Sequence, residues 1–296
     1  MISAWVRVIR VRFLLASVIA VFVGLAASWW FGTKLDPLDA ILTMTGVLAL
    51  HVSVDLLNEY WDFKRGIDTN TKRTKMSGGT GVLPEGLLQP TEVYKVGVAF
   101  LILGTIIGAY FVAVYGIIIA AILVFAVVSI YFYSTKIVDS GLAELFVTIK
   151  GTMIVLGTFF IQVSEITLLP ILSGIFVGIL SSLVLFVTSY PDYDADKSKG
   201  RRTLVIVVGK KKGTIVFWSF PVIAYALVTG GVYLTILPIF SLIALIPIPL
   251  ILMAGRDLKN HYLDDKKIIS VMTKTLSFSR ISGALLVISF LIPSLI

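Results

Sequence analysis

Two short stretches hold the residue types that could do chemistry. The first, HVSVDLLNEYWDFKRGID at residues 51–68, presents His51, Asp55, Asn58 and Asp62 at intervals of four, three and four, the spacing that stacks side chains along one helix face. After Gly66 the chain delivers a further polar group, Asp68. The second, TSYPDYDADKSKGRRTL at 188–204, carries Asp192 and Asp196 at i, i+4. Laying Asp192 on Asp62 pairs Tyr190 with Tyr60 and Thr188 with Asn58, and brings KGRRT loosely over NTKRT. His51 or Asp55 taken alone reads equally as polar glue to a neighbouring helix. A cluster that recurs is a different matter, because ionisable groups at membrane depth are costly and are usually functional.

The paired groups Asn58 and Asp62, and Asp192 and Asp196, offer only oxygen donors, which select Mg²⁺ or a similar hard ion that takes one or two carboxylates and completes its shell with substrate phosphates. The basic residues after each cluster, Lys64, Arg65, Arg73 and Lys75 and then Lys199, Arg201 and Arg202, are suited to the remaining phosphate charge. The chain has no cysteine, and its two histidines, His51 and His261, lie 210 residues apart. That removes a thiolate nucleophile and leaves little scope for a histidine-rich zinc or haem site. Metal, diphosphate and an apolar cavity together suit a lipid diphosphate. If its tail is allylic, two Mg²⁺ ions stabilise the departing pyrophosphate, and aromatic faces help the cation left behind. Tyr131, Phe132 and Tyr133 are placed for that role, or for an interfacial aromatic belt.

The elements that position these groups are membrane helices. The 296 residues are 57% hydrophobic and 14% charged, with mean hydropathy +0.99, outside the range of soluble domains. Apolar windows long enough to cross a bilayer fall near 13–31, 38–58, 92–110, 112–133, 141–162, 167–190, 214–231, 233–254 and 277–295. They are continuously apolar, without the alternation of a membrane barrel. The first follows Arg7, Arg10 and Arg12 and exceeds a secretory core in length, so it is read as a retained helix. Both acidic clusters end even-numbered helices four apart. This predicts an all-α bundle of nine transmembrane helices, two four-helix repeats plus one helix, forming a single domain over 1–296.

Lys and Arg number three before the first helix and then five, one, seven and five in the alternate loops, against Lys34 alone on the other side. The bias predicts a cytoplasmic amino terminus and site with an external carboxyl terminus, and it explains the basic charge without a nucleic-acid partner. Lys150, inside the fifth helix, reads as a functional cation, a partner for Glu144, or a snorkelling side chain. Pro247 and Pro249 predict a kink in the eighth helix, and 256–267 reads as a charged cytoplasmic loop.

NEYWDFKRGID resembles the first motif of the UbiA superfamily of intramembrane prenyltransferases, DYDAD followed by KSKGRRTL resembles the second, and RVRFL is similar to its amino-terminal RPR stretch. The longer D-x5-D spacing in DFKRGID, with SGGTGVL and KGRRTL, looks most like the 1,4-dihydroxy-2-naphthoate prenyltransferases of menaquinone synthesis. The resemblance implies metal and diphosphate residues at Asn58, Asp62, Asp68, Asp192 and Asp196, and basic and tyrosine contacts at Arg73, Tyr133 and Lys136. Glu59, where many members have aspartate, and a YSTK one residue shorter than the hydroxybenzoate branch both bear on the acceptor.

The expected enzyme is therefore a Mg²⁺-dependent prenyltransferase. Asp62, Asp68, Asp192, Asp196 and Tyr133 are its catalytic groups, and Asn58, Lys64, Arg73, Lys136, Lys199 and Arg202 hold diphosphate. Its partners are a prenyl diphosphate donor, an aromatic or lipid acceptor and membrane lipid, with no obligate protein partner. For an aromatic acid, Lys136 beside Tyr131 and Tyr133 is the spare cation. Prenylation of geranylgeranylglyceryl phosphate would use the same donor machinery. A CDP-alcohol phosphotransferase would need a compact D-x2-D-G…D-x3-D cassette, absent here, and a transporter would hold its carboxylates near the bilayer midplane.

Overall fold

A backbone in lipid has no water to bond, so continuous apolar runs close their hydrogen bonds internally as helices. The computed structural model describes residues 2–67, 73–74 and 76–292, and its regular elements are all helical. A short α1 (Ile2–Val8) precedes α2 (Val11–Trp30), α3 (Pro37–Lys64), α4 (Pro90–Tyr115) and α5 (Ile117–Phe132). A π-helical turn (Tyr133–Ile137) and a 3₁₀ turn (Val138–Ser140) then lead to α6 (Ala143–Val163) and α7 (Leu168–Thr188). Short helices α8 (Tyr193–Ser198), α9 (Leu204–Val208) and α10 (Lys210–Val216) follow, then α11 (Ser219–Tyr233). A 3₁₀ segment (Ile239–Leu245), α12 (Ile248–His261) and α13 (Asp265–Leu291) complete the described residues.

Among the described residues, nine helical stretches are long and apolar enough to cross a membrane, as expected. Several limits differ from the hydropathy reading. α3 continues from 58 to Lys64, so the first acidic cluster lies within the helix. The eighth stretch is Ile239–His261, and the ninth begins at Asp265, twelve residues before 277. Hydropathy detects the part of a helix that lipid covers, whereas capping decides where the helix starts. The Asp264 side chain accepts from the backbone N–H groups of Lys266 and Lys267, and this begins α13 in polar sequence. The expected loop 256–267 is therefore a turn at 262–264 between two helices. Pro247 stands between the 3₁₀ segment and α12, and Pro249 lies in the first turn of α12, where a proline costs no hydrogen bond.

The interior is built around α7, which packs on α2, α6, α11 and α13 and buries Phe176, Leu180, Leu183 and Phe186. α6 and α7 approach through small residues: a Cβ on Gly151 would stand 2.6 Å from the Cα of Gly178. Membrane helices use such contacts because apolar burial gives no drive between helices in lipid. α4 and α5 turn Ile102, Ile106, Val114, Val124 and Val128 outward. Between the inner helices and this outer pair lies the site.

Candidate active site

The last turns of α3 carry Asn58 and Asp62 into the interior, where Asp62 is 4% exposed. Past α7, Pro191 interrupts the chain and Asp192 stands just before α8; the N–H of Asp196 donates to the Asp192 carbonyl at 2.8 Å, so the two carboxylates keep their helical i, i+4 relation. Tyr190 anchors this turn, fully buried, with its hydroxyl donating to the Lys210 carbonyl at 3.2 Å. Gly200, at φ +79°, then reverses the chain, a conformation costly for other residues. The reversal returns Arg201 to the carboxylates. Its guanidinium donates to Asp62 and, at 3.3 Å, to Asp196, joining the two motifs.

A second link comes from the SGGT loop. The N–H of Gly78 donates to Asp192 Oδ2 at 3.0 Å. Two residues on, Thr80 donates its N–H (3.2 Å) and its hydroxyl to Glu59, which also receives Arg10 at 3.0 Å. Glu59 is fully buried and faces this loop, away from the cavity. Arg10 reaches it from a left-handed backbone (φ 52°) between α1 and α2, a strained conformation held by its surroundings.

These groups stand at one end of a cavity of about 410 Å³, within the range of small-molecule sites. It follows α3 from Asp62 to Leu42, and its walls include Phe111, Ile119, Ile161 and Leu180. Twenty helical residues at 1.5 Å each make that path about 30 Å long. Tyr133 lines the cavity at the start of the π-helical turn, an irregularity frequent at functional sites. The turn is tied to α3: Ser134 Oγ donates to Asn58 Oδ1 at 2.6 Å, and Arg65 bonds the Ser134 carbonyl and Asp139.

Of the residues expected from sequence, Asn58, Asp62, Tyr133, Asp192 and Asp196 are brought together as cavity wall. Asp68 lies outside the described residues, as does Lys75. Lys64, Arg73, Lys136, Lys199 and Arg202 are exposed and are not part of the cavity wall. Lys64 lies over the Tyr60 ring, and Arg73 meets Glu85 at 3.0 Å. The cations that do line the cavity are Arg10, Arg12, Lys150, Arg201 and Arg280. Sequence reasoning named Arg201 only as one of a basic run; the signal for it was the preceding glycine, which can turn the chain back.

Burial pushes the Asp192 carboxyl up to about 7, helped by the nearby Asp196 charge. Asp196 rises to about 6, again chiefly from burial, with Arg201 opposing. Asp192 Oδ1 is buried with no hydrogen-bond partner, an orphan acceptor that a cation would satisfy. No three His, Cys, Asp or Glu side chains among the described residues form a ready metal cage. An oxygen-only, incomplete donor set still fits Mg²⁺, which leaves much of its shell to substrate and water.

The model of the UbiA prenyltransferase family matches residues 17–275. The chain is 28% identical over 225 residues to the 1,4-dihydroxy-2-naphthoate octaprenyltransferase of Bacillus subtilis, covering 75% of this chain and 71% of that one. It is 26% identical to the enzyme of the same name from Escherichia coli, covering 70% and 69%. Among solved structures it resembles a UbiA homolog from Aeropyrum pernix K1 (TM-score 0.70, 16% identity, 96% and 98% covered). It also resembles one from Archaeoglobus fulgidus bound to GPP and Mg²⁺ (TM-score 0.63, 15% identity, 96% and 99% covered). An integral, multi-pass membrane protein with two acidic motifs joined at the head of an apolar cavity, this chain belongs to the UbiA prenyltransferase family and is a prenyltransferase.

Proposed function

We propose that this protein, as a single domain, transfers an isoprenoid chain from an allylic prenyl diphosphate to an aromatic acid of the 1,4-dihydroxy-2-naphthoate kind, in quinone synthesis. The observation that carries the reading is the meeting of Asp62 with Asp192 and Asp196 at the head of a long apolar cavity. A charged head belongs at one end of such a space and an isoprenoid tail along the rest. The naphthoate acceptor is supported by likeness to the two bacterial enzymes. The positive loops support a cytoplasmic site and an external carboxyl terminus.

Asn58, Asp62, Asp192 and Asp196 would hold Mg²⁺, two ions in this proposal, with Asp68 as a further ligand. When bound, Mg²⁺ supplies charge neutralisation for the departing diphosphate. Arg201 exchanges its carboxylate partners for phosphate oxygens, and Lys64, Arg73, Lys136, Lys199 and Arg202 add positive charge from the loops. As the C1–O bond breaks, its electron pair leaves with the diphosphate, and the Tyr133 ring faces the allylic cation. The acceptor carbon attacks C1 and gives up its ring proton, and where a naphthoate also loses CO₂ a proton is taken up at the carbon that bore the carboxylate.

A second reading has one observation behind it. Arg12 and Arg280 line the cavity between α2 and α13, with Arg280 bonded to the Arg12 carbonyl. This is a basic pair suited to the phosphate of geranylgeranylglyceryl phosphate. Incubating purified protein with Mg²⁺, prenyl diphosphates and both acceptors, then weighing the products by mass spectrometry, decides between them. Product from the lipid acceptor alone would replace the naphthoate reading, and no prenylated product at all would sink both.

A further inference from the structure

Deep in the cavity are three polar side chains that the diphosphate chemistry does not use. Asp55 lies seven residues before Asp62 on α3, about 10 Å further from the acidic motifs. His51 lies one turn beyond it, and Lys150 enters the same cavity from α6. His51 Nδ1 is 2.7 Å from Ser17 Oγ, and its Nε2 is 3.9 Å from Asp55 Oδ2. That Asp55 oxygen is buried without a hydrogen-bond partner. Among the described residues Lys150 makes no ion pair with Asp55 or with Glu144.

Buried ionic groups kept apart in apolar surroundings are unfavourable unless something completes them. An isoprenoid tail offers neither a donor nor an acceptor. A phosphate head carries two negative charges, which the Asp55 carboxylate would repel at close range. A hydroxylated aromatic acid fits both groups, with its carboxylate on the ammonium, its hydroxyl donating to the orphan oxygen, and its ring against apolar walls such as Phe146 and Ile154.

We propose that Lys150 and Asp55, with His51 held by Ser17 behind them, form the polar subsite of the acceptor. Lys150 binds the carboxylate and Asp55 accepts from a ring hydroxyl. This rests on the aromatic-acid reading above and deepens it. Lys136, the cation expected for this role from sequence, is exposed and outside the cavity wall.

The test compares wild type, Lys150→Met, Lys150→Arg and Asp55→Asn with a short prenyl diphosphate and Mg²⁺. The acceptors are 1,4-dihydroxy-2-naphthoate and its neutral carboxamide. For Lys150→Met, KM for the acid should rise roughly ten- to hundred-fold, while KM for the carboxamide and for the donor changes less than about threefold. Lys150→Arg should recover part of the loss. Asp55→Asn should weaken both acceptors and leave the donor unaffected. Equilibrium titration of the two acceptors gives the same comparison without turnover, and unchanged donor binding identifies the folded variants. An active wild type whose Lys150→Met variant treats acid and carboxamide alike would overturn the subsite and leave the function standing. A wild type that prenylates no aromatic acid and binds none would overturn both.

Discussion

The guanidinium of Arg201 is hydrogen-bonded to the carboxylate of Asp62, 139 residues away in the chain. Through Asp196, at 3.3 Å, it joins the two acidic motifs into one site, occupying the place proposed for cationic chemistry. Removing it leaves buried carboxylates without their cation, which costs about 3–5 kcal/mol in comparable pairs. Arg201→Met should therefore lower the melting temperature of the detergent-solubilised protein, and Mg²⁺ with pyrophosphate should recover part of the loss. Unchanged melting would show that the ion pair carries no weight in the fold.

Asp62→Asn and Asp192→Asn keep shape and volume while removing charge from the proposed ligands. Each should reduce prenyl transfer by at least about a hundredfold with elution close to wild type, and Asp192→Asn, which leaves the Arg201–Asp62 pair in place, should also keep its melting temperature. A chelator should abolish transfer in the unmodified protein, and added Mg²⁺ should restore it. Turnover that survived both would rule out these carboxylates as ligands.

The pH dependence of metal binding follows from Asp192, raised to about 7, and Asp196, raised to about 6, from an ordinary 3.8. Raised carboxyls favour folding most below the ordinary value, and their contribution is lost as pH climbs through about 6 to 7. Metal needs them ionised, so its affinity runs the other way, weakening as pH falls below about 7. Calorimetric titration with Mg²⁺ and pyrophosphate at pH 5.5 and 7.5 should give a Kd at least about tenfold weaker at the lower pH, with proton release on binding. A Kd independent of pH would contradict this.

The contact of α6 with α7 leaves no room for a side chain at Gly151, where a Cβ would stand 2.6 Å from the Cα of Gly178. Gly151→Leu should part the helices and destabilise the protein by about 1–3 kcal/mol. Gly230→Leu, on a helix where an added Cβ meets nothing within 4 Å, serves as the control in thermal melting. Equal behaviour of the two variants would show that this contact is loose.

Sequence by itself determined the helices and the identity of the acidic motifs. Lipid admits continuously apolar segments only as helices, and oxygen donors followed by basic residues at repeated spacing announce a metal–diphosphate site. It located the spans but misjudged their ends at α3, α12 and α13, because hydropathy reports lipid contact while Asp264 caps a helix that begins in polar sequence. Which basic residue reaches the carboxylates was decided by tertiary structure. Lys199, Arg201 and Arg202 are interchangeable in a list of charges, and only the turn at Gly200 sends Arg201 inward while its neighbours stay exposed. Glu59 likewise stands between Asn58 and Asp62 in the chain, yet packing turns it to Thr80 and Arg10. Lys150 and Asp55 lie 95 residues apart and share one cavity only because α6 packs beside α3. Period and charge are local properties of a chain, whereas facing across a cavity depends on how its helices pack.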